Sequence, residues 1–433
     1  MRVIIWGINY APELTGISVY TTDLAEYLHR RGVTVDVVTG FPYYPAWSQQ
    51  AGDRWRLYRR DKIREVTVHR CWLYIPRRLS ALRRILHEIS FALTSLWRVF
   101  WLKRADVYLV VSPPLGLGLV AWAVTRLKRS GYLFHVQDLQ PDAAVGTGLI
   151  RAGFVLRLMY FCERLAYRFA AGVSGISPGM TRAFAAKGVP ASKIFLLPNW
   201  QRPSVVSEGV VKASGWFRRT HGIPSGALLA VYSGNLGRKQ GLDVLIDAAE
   251  ILSAVPPCGR SVRIVIAGDG AEKKAIEDRL RLHPNSVLQV LPLLPAEEYR
   301  AMLGDADVAL VPQLPGTGRV CFPSKLLSVL GAGLPVITAA DEDSDLAEAV
   351  RQGGFGMNVP AADAPALADA LRTVAQQPEI VEKWAERTRW VGQFSPELML
   401  AKFEHALQSL TKSGSSVKRE LPQVHSPQGY SEG

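Results

Sequence analysis

The feature that most constrains this chain is an alternation, repeated in two series, of short apolar runs with amphipathic segments of helical period. From residue 2 the order is "RVIIWGIN", "SVYTTDLAEYLHRRG" and "TVDVVTG", then "VYLVV", "GYLFHVQD" and "GVSGIS". Strands separated by a helix cannot pair as hairpins, so they form a parallel sheet with right-handed crossovers. Around Pro198 to Gly226 the pattern dissolves into Pro, Ser and Gly. A second series follows, running from "LLAVYSGN" through "VRIVIAGDG", "VLQVLP" and "DVALVP" to "PVITA". A chain of 433 residues, 48% apolar, also exceeds what one core holds.

These signals predict an α/β protein of two Rossmann-like, doubly wound parallel-sheet domains facing a cleft, with ligands at the C-terminal ends of the strands. The expected boundaries are 1–202 for the first domain, 203–380 for the second, 381–410 for closing helices and 411–433 for a disordered tail.

The first apolar run is too short for a signal-peptide core and is expected to be a buried strand. The longest uncharged run, Val107 to Thr125, has the length of a membrane span. Ser112-Pro113-Pro114 splits it into a strand, a turn and a helix. Cys71, Cys162, Cys258 and Cys321 form no C-x-x-C pair, which argues against a zinc site or a disulfide framework and for a reducing, cytoplasmic compartment.

The formal net charge of +13 is concentrated. Between Arg54 and Arg104 fourteen Lys or Arg face three acids. Inside this stretch Leu79, Leu82, Leu86, Ile89, Leu93, Leu96 and Phe100 follow three-four spacing, with Arg83, Arg84, His87 and Arg98 between them and Trp97 and Trp101 beside them. A basic amphipathic helix with interfacial aromatics suits an anionic membrane surface. The competing reading is a core helix with a basic outer side. No nucleic-acid-binding motif accompanies the charge.

Three strand-to-helix loops carry anion-binding chemistry. "ELTGIS" puts Gly16 at a helix mouth, where a missing Cβ lets backbone N–H groups approach an anion; an ordinary glycine turn is the alternative. "SGNLGRKQG" follows Gly234 with Arg238 and Lys239 at a loop tip. "PSKLLSVLGAG" opens a helix with Ser324, Lys325 and the amides up to Leu326, a cradle for phosphates unless Ser324 is only an N-cap.

In order and spacing, "NYAPELTGISVYTTDLAEYL", "HVQDLQPDAAVGTGL", "LPNW", "YSGNLGRKQGLDVLIDAA", "AGDG" and "PSKLLSVLGAGLPVI" resemble the retaining glycosyltransferases of family 4, over about residues 2 to 410. The resemblance implies the GT-B fold and transfer of a sugar from a nucleoside diphosphate donor, with GDP-fucose a candidate. It further implies a lipid-linked saccharide acceptor and a product in exopolysaccharide biosynthesis of the colanic acid type. It places Asp138 near the reacting sugar with Gln137 beside it, and prefers Lys239 over Arg238 as the diphosphate contact. Asn199 would brace the hinge or a phosphate. Gly268 to Gly270, with the loop near Leu293 to Pro295, would lie around base and ribose. His135 is open between the site and the core. Two acids that many relatives carry fall here on Val320 and Ser328, so their contacts are not transferred.

Of the decoys, "GISPG" lacks the following acid and histidine of a hydrolase. Asp305-x-Asp307 and Asp341-x-Asp343 imitate a metal motif, but the family relies on basic groups and helix dipoles, so no metal cofactor is expected. The alternatives to a transferase are a GT-B nucleotide-sugar 2-epimerase and a non-catalytic membrane-tethered scaffold.

Overall fold

The computed structural model describes residues 1–13, 16–44, 47–49, 51–53, 56–76, 80–146, 153–201, 214–256, 259–318 and 324–412. The linker expected around residue 202, the tail from 413, Val320, Cys258, Cys321, Arg77 and Leu79 lie outside them.

The first sheet contains β1 (Arg2–Trp6), β2 (Thr34–Gly40), β3 (Tyr58–Ile63), β4 (Val66–Cys71), β5 (Val107–Ser112), β6 (Gly131–Val136), β7 (Gly172–Gly175) and β8 (Ile194–Leu196). Its order is β3-β4-β2-β1-β5-β6-β7-β8. All neighbours are parallel except β3 and β4, a hairpin that turns at Arg64 and Glu65, both with positive φ. The helices that position the site are α1 (Ile17–Arg30), α2 (Ala81–Trp101), α3 (Leu117–Leu127), α4 (Gln140–Gly146), α5 (Phe154–Phe169) and α6 (Pro178–Ala186). The uncharged run divides into β5 and α3, and among the described residues no helix is long and apolar enough to cross a membrane.

The second sheet, β9 (Leu228–Asn235), β10 (Val262–Asp269), β11 (Leu288–Leu291), β12 (Val308–Pro312), β13 (Val336–Ala339) and β14 (Gly356–Val359), has the order β11-β10-β9-β12-β13-β14, all parallel. In each sheet the order reverses beside the first strand of the series, β1 or β9. Loops leaving that strand and its neighbour toward opposite sides open a crevice, which sets the ligand side of each domain.

The closing helices do not form a unit. Trp390 packs on Phe355 of the second domain, with ring centroids 5.1 Å apart. The last helix, Pro396–Lys412, instead returns to the first domain. There Met399, Leu400, Phe403, Leu407 and Leu410 share a core with Val3, Ile5, Val35 and Val107. The two chain crossings touch, the Gln201 amide donating to the Phe394 carbonyl at 2.9 Å.

α2 carries two stripes. His87, Phe91, Ser95 and Val99, spaced by four, are buried against the sheet. Leu82, Leu86, Ile89, Leu93, Trp97, Phe100 and Trp101, between 46% and 67% exposed, lie on the outside. The more apolar stripe is the solvent-facing one, so the reading of α2 as a core helix with a basic outer side does not describe this surface.

Candidate active site

In the first domain the loop after β1 is organised by Glu13. One carboxylate oxygen accepts from the Tyr43 and Tyr44 amides, both at 3.0 Å, and the other from the Asn9 side-chain amide at 2.9 Å. Burial pushes its pKa up despite these bonds. Gly16 caps α1 with φ 67°, a left-handed backbone that favours glycine, and no side chain caps the helix.

β6 ends in a buried chain of polar groups. Gln137 and Asn199 exchange amide hydrogen bonds at 3.0 Å, and the Gln137 amide also donates to His135 Nε2 at 2.8 Å. His135 Nδ1 consequently donates to the Ser174 hydroxyl at 2.9 Å. Burial depresses the His135 pKa to about 3, and Phe403 of the last helix stacks edge-on against its ring. His135 is thus a core histidine, and Asn199 braces the end of β6 rather than reaching across for a phosphate. Asp142 is held by Lys187, which also binds buried Glu163, so this salt-bridge cluster ties α4 to α5 and α6. Between these supports stands Asp138, with 31% of its side chain exposed toward the cleft.

In the second domain β9 and β10 end in register, Gly234 beside Gly268 and Asn235 beside Asp269. A Cβ on Gly268 would lie 1.9 Å from the Gly234 carbonyl oxygen, and one on Gly270 would lie 2.5 Å from that of Leu236, so close strand packing requires both glycines. Gly234, with φ 135°, clears a path for Lys325: a Cβ there would meet the lysine Cε at 2.5 Å. Lys325 is the second residue of the helix Ser324–Gly331, and its amine lies 4.0 Å from the Tyr232 ring centroid and bonds the Tyr232 hydroxyl. Ser324 is half-buried beside it, and the Leu326 side chain is in the core.

The domains meet at Lys239. Its amine is 3.2 Å from the Asp138 carboxylate, and its carbonyl anchors the Leu314 amide at 3.0 Å. Arg238, next in the chain, is exposed. A second contact across the cleft lies at the segment "GISPG": the Gly179 amide donates to Asp345 at 2.8 and 2.9 Å, and Arg182 pairs with the same carboxylate at 3.0 Å.

Asp305 and Asp307 are committed to structure, accepting from the Gly215 and Arg218 amides and from Arg218, Arg260 and the Leu229 amide at the start of β9. That is the end of the sheet remote from the cleft. Leu293 to Pro295 follow the edge strand β11. On α2, Arg83 and Arg84 are exposed and Trp97 and Trp101 form an exposed edge-to-face pair. The membrane assignment of Arg98 is corrected: its guanidinium turns inward to His69 Nδ1 at 2.9 Å, and His69 in turn bonds Asp36. Arg98 stands one residue after Trp97, about a quarter turn around the helix, which aims it at β4.

Sequence reading missed Glu13, Tyr43, Glu88 and Tyr232, and it placed His87 among the basic groups of α2's polar side, whereas the ring is buried against the Tyr74 carbonyl. The signal that could have turned His87 inward is the second stripe it begins at four-residue spacing on α2, with Phe91, Ser95 and Val99.

Two facing Rossmann-like sheets, with lysines on the strand-to-helix loops of the second and an acid opposite, are the GT-B arrangement. Residues 15–200 match the glycosyl transferase 4-like domain, and residues 227–377 match the glycosyl transferases group 1. The chain belongs to the family 4 glycosyltransferases and is a transferase. It is 32% identical over 403 residues to the putative colanic acid biosynthesis glycosyl transferase WcaI of Escherichia coli K12, an alignment covering 90% of this chain and 96% of that one. Among solved structures, sucrose-phosphate synthase of Thermosynechococcus elongatus superposes with a TM-score of 0.74 at 17% identity, covering 95% of this chain and 99% of that chain. Anabaena HepE in complex with UDP superposes at 0.67 with 16% identity, covering 94% and 100%.

Proposed function

We propose that this enzyme transfers a sugar, with retention, from a nucleoside diphosphate donor to a lipid-linked saccharide at the inner face of the cell membrane, as a cytoplasmic, peripheral enzyme of exopolysaccharide assembly. The observation that carries the lipid-linked acceptor is the outward apolar stripe of α2, from Leu82 to Trp101, with exposed Arg83 and Arg84 beside it. Such a surface is unfavourable in water and favourable at an anionic interface. The WcaI relative supports the exopolysaccharide setting, and the HepE complex, which holds UDP, supports a nucleoside diphosphate; GDP-fucose, implied by the family resemblance, is the first donor to test.

In this reading the donor diphosphate lies between the α1 and Ser324–Gly331 helix starts and draws Lys239 and Lys325. As the bond from the anomeric carbon to the diphosphate oxygen breaks, both lysines offset the charge gathering on the leaving group. The acceptor hydroxyl attacks from the same face and passes its proton to the departing oxygen, while Asp138 positions the reacting sugar. The lysines and helix dipoles supply the positive charge in this reading, without a metal cofactor.

The test is to incubate the purified protein with a panel of nucleotide sugars, GDP-fucose included, and a membrane lipid extract. Nucleoside diphosphate release and labelled sugar in the lipid fraction are followed together. Turnover that leaves all sugar in solution would overturn the lipid-linked acceptor and favour a soluble sugar-nucleotide reaction such as 2-epimerisation.

A further inference from the structure

The N-terminal half of α2 carries polar chemistry that the fold itself does not use. His87 is 2% exposed, and its Nδ1 lies 2.6 Å from the Tyr74 carbonyl, to which it must donate. A neutral imidazole carries one N–H, here on Nδ1, so Nε2 is left as an acceptor. It is buried and has no hydrogen-bond partner among the described residues. Burial and nearby Arg84 lower the His87 pKa, which keeps the ring neutral and Nε2 a bare lone pair. Buried polar atoms are almost always satisfied, so one aimed away from its structural partner points to a missing donor.

Two aromatic rings surround it. Tyr43 and Trp47 stand against the His87 ring, with centroids at 4.7 and 5.3 Å, and against one another at 5.3 Å. Trp47 is only half-buried although φ is 49°, a conformation a tryptophan adopts only when its surroundings impose it. Next along α2, Glu88 accepts from the Gln140 amide at 3.0 Å, and Arg84 is 3.8 Å from the same carboxylate. Gln140, which holds Glu88, lies two residues beyond Asp138, the partner of Lys239.

We infer that Trp47, His87 and Glu88, with Tyr43 packed behind them, form the saccharide subsite of the acceptor, in which the Trp47 ring stacks on a sugar ring while His87 Nε2 and the Glu88 carboxylate accept its hydroxyls. The inference rests on the reading of this enzyme as a transferase to a saccharide acceptor. The ligand class follows from the geometry: a bare acceptor, His87 Nε2, and the Glu88 oxygens stand beside the half-buried Trp47 ring, a set that calls for hydroxyl donors on an apolar ring. A group with several O–H donors and an apolar ring face satisfies both the unpartnered nitrogen and the aromatic wall.

The test is saturation-transfer NMR on the full chain, with methyl glycosides of glucose, galactose and fucose as probes, for wild type, Trp47→Ala and His87→Phe. Nucleoside diphosphate binding and Tm are measured on the same samples. The expected result is ring-proton transfer from at least one glycoside and roughly tenfold weaker binding in each variant, the loss of one contact to a desolvated group, with nucleotide affinity unchanged. No transfer in the wild type, or equal transfer in both variants at unchanged Tm, overturns the subsite. Trp47→Ala stays informative if His87→Phe does not fold. Failure of the lipid-linked reading alone shows differently, as glycoside binding retained by an enzyme that labels no lipid.

Discussion

Lys239 Nζ lies 3.2 Å from Asp138 Oδ2, so one ion pair joins the two domains where the donor's leaving group is proposed to sit. A lysine so paired must exchange its carboxylate for phosphate when a donor enters. Asp138→Asn is therefore expected to tighten nucleoside diphosphate binding while lowering kcat, because the lysine is released but the acid opposite the reacting sugar is gone. Isothermal titration with GDP and UDP, with parallel turnover, reads both changes. Weaker nucleotide binding in Asp138→Asn would show that the pair does not compete with the donor.

Removing the lysines tests the same site from the other side. Lys239→Ala and Lys325→Ala are each expected to lower kcat/KM by on the order of 10² to 10³, the scale of one transition-state electrostatic contact. Gly234→Ala should imitate Lys325→Ala, since its Cβ would stand 2.5 Å from the Lys325 Cε and displace the side chain. Near-wild-type kinetics in all three would remove the phosphate cradle. Because the positive charge in this mechanism comes from side chains, turnover should also persist in excess EDTA. Activity lost to EDTA and restored by magnesium or manganese would count against it.

The pattern of these residues shows what a sequence can disclose. Both parallel sheets announce themselves because their strands are buried on two faces and stay apolar along their length. The β3–β4 hairpin does not, since "YRRDKI" is an edge strand whose charges are satisfied across space, Arg59 by Asp53 and Asp61. For the same reason the basic stretch overstates the surface charge: Arg70, 1% exposed, is turned inside to Asp61 and the Gly40 carbonyl. The Asp138–Lys239 contact joins residues about a hundred positions apart, and nothing local in either motif specifies it. The last helix behaves likewise, its amphipathic stripe legible but its partner sheet, at the other end of the chain, not.

Acid stability should report on His135. Its folded pKa of about 3 lies below the unfolded value of 6.5, so below pH 6.5 the unfolded chain takes up a proton that the native core refuses. The neutral histidine's contribution is fully present above pH 6.5 and drains away as pH falls toward 3. Chemical denaturation across this window should show a slope approaching one proton that is absent in His135→Gln, after allowance for the carboxylates that titrate in both proteins. An unchanged slope would place His135 in contact with water.

The outer stripe of α2 makes a prediction about where the enzyme works, and the position of Arg98 sharpens it. Each basic residue near an anionic leaflet contributes roughly 1 kcal/mol of attraction, which salt screens, whereas insertion of Leu86, Leu93, Trp97 and Trp101 is largely insensitive to salt. The protein is expected to bind anionic but not zwitterionic vesicles in flotation, with partial release at high salt. Arg83→Glu with Arg84→Glu should weaken binding and raise its salt sensitivity no further, while Trp97→Ala with Trp101→Ala should leave a weaker interaction that salt abolishes. Arg98→Glu should act differently, lowering Tm by breaking the contact with His69. If Arg98→Glu instead reduces vesicle binding at unchanged Tm, Arg98 faces the lipid. Equal binding to both vesicle types would mean that the apolar stripe alone, without Arg83 and Arg84, holds the enzyme to the membrane.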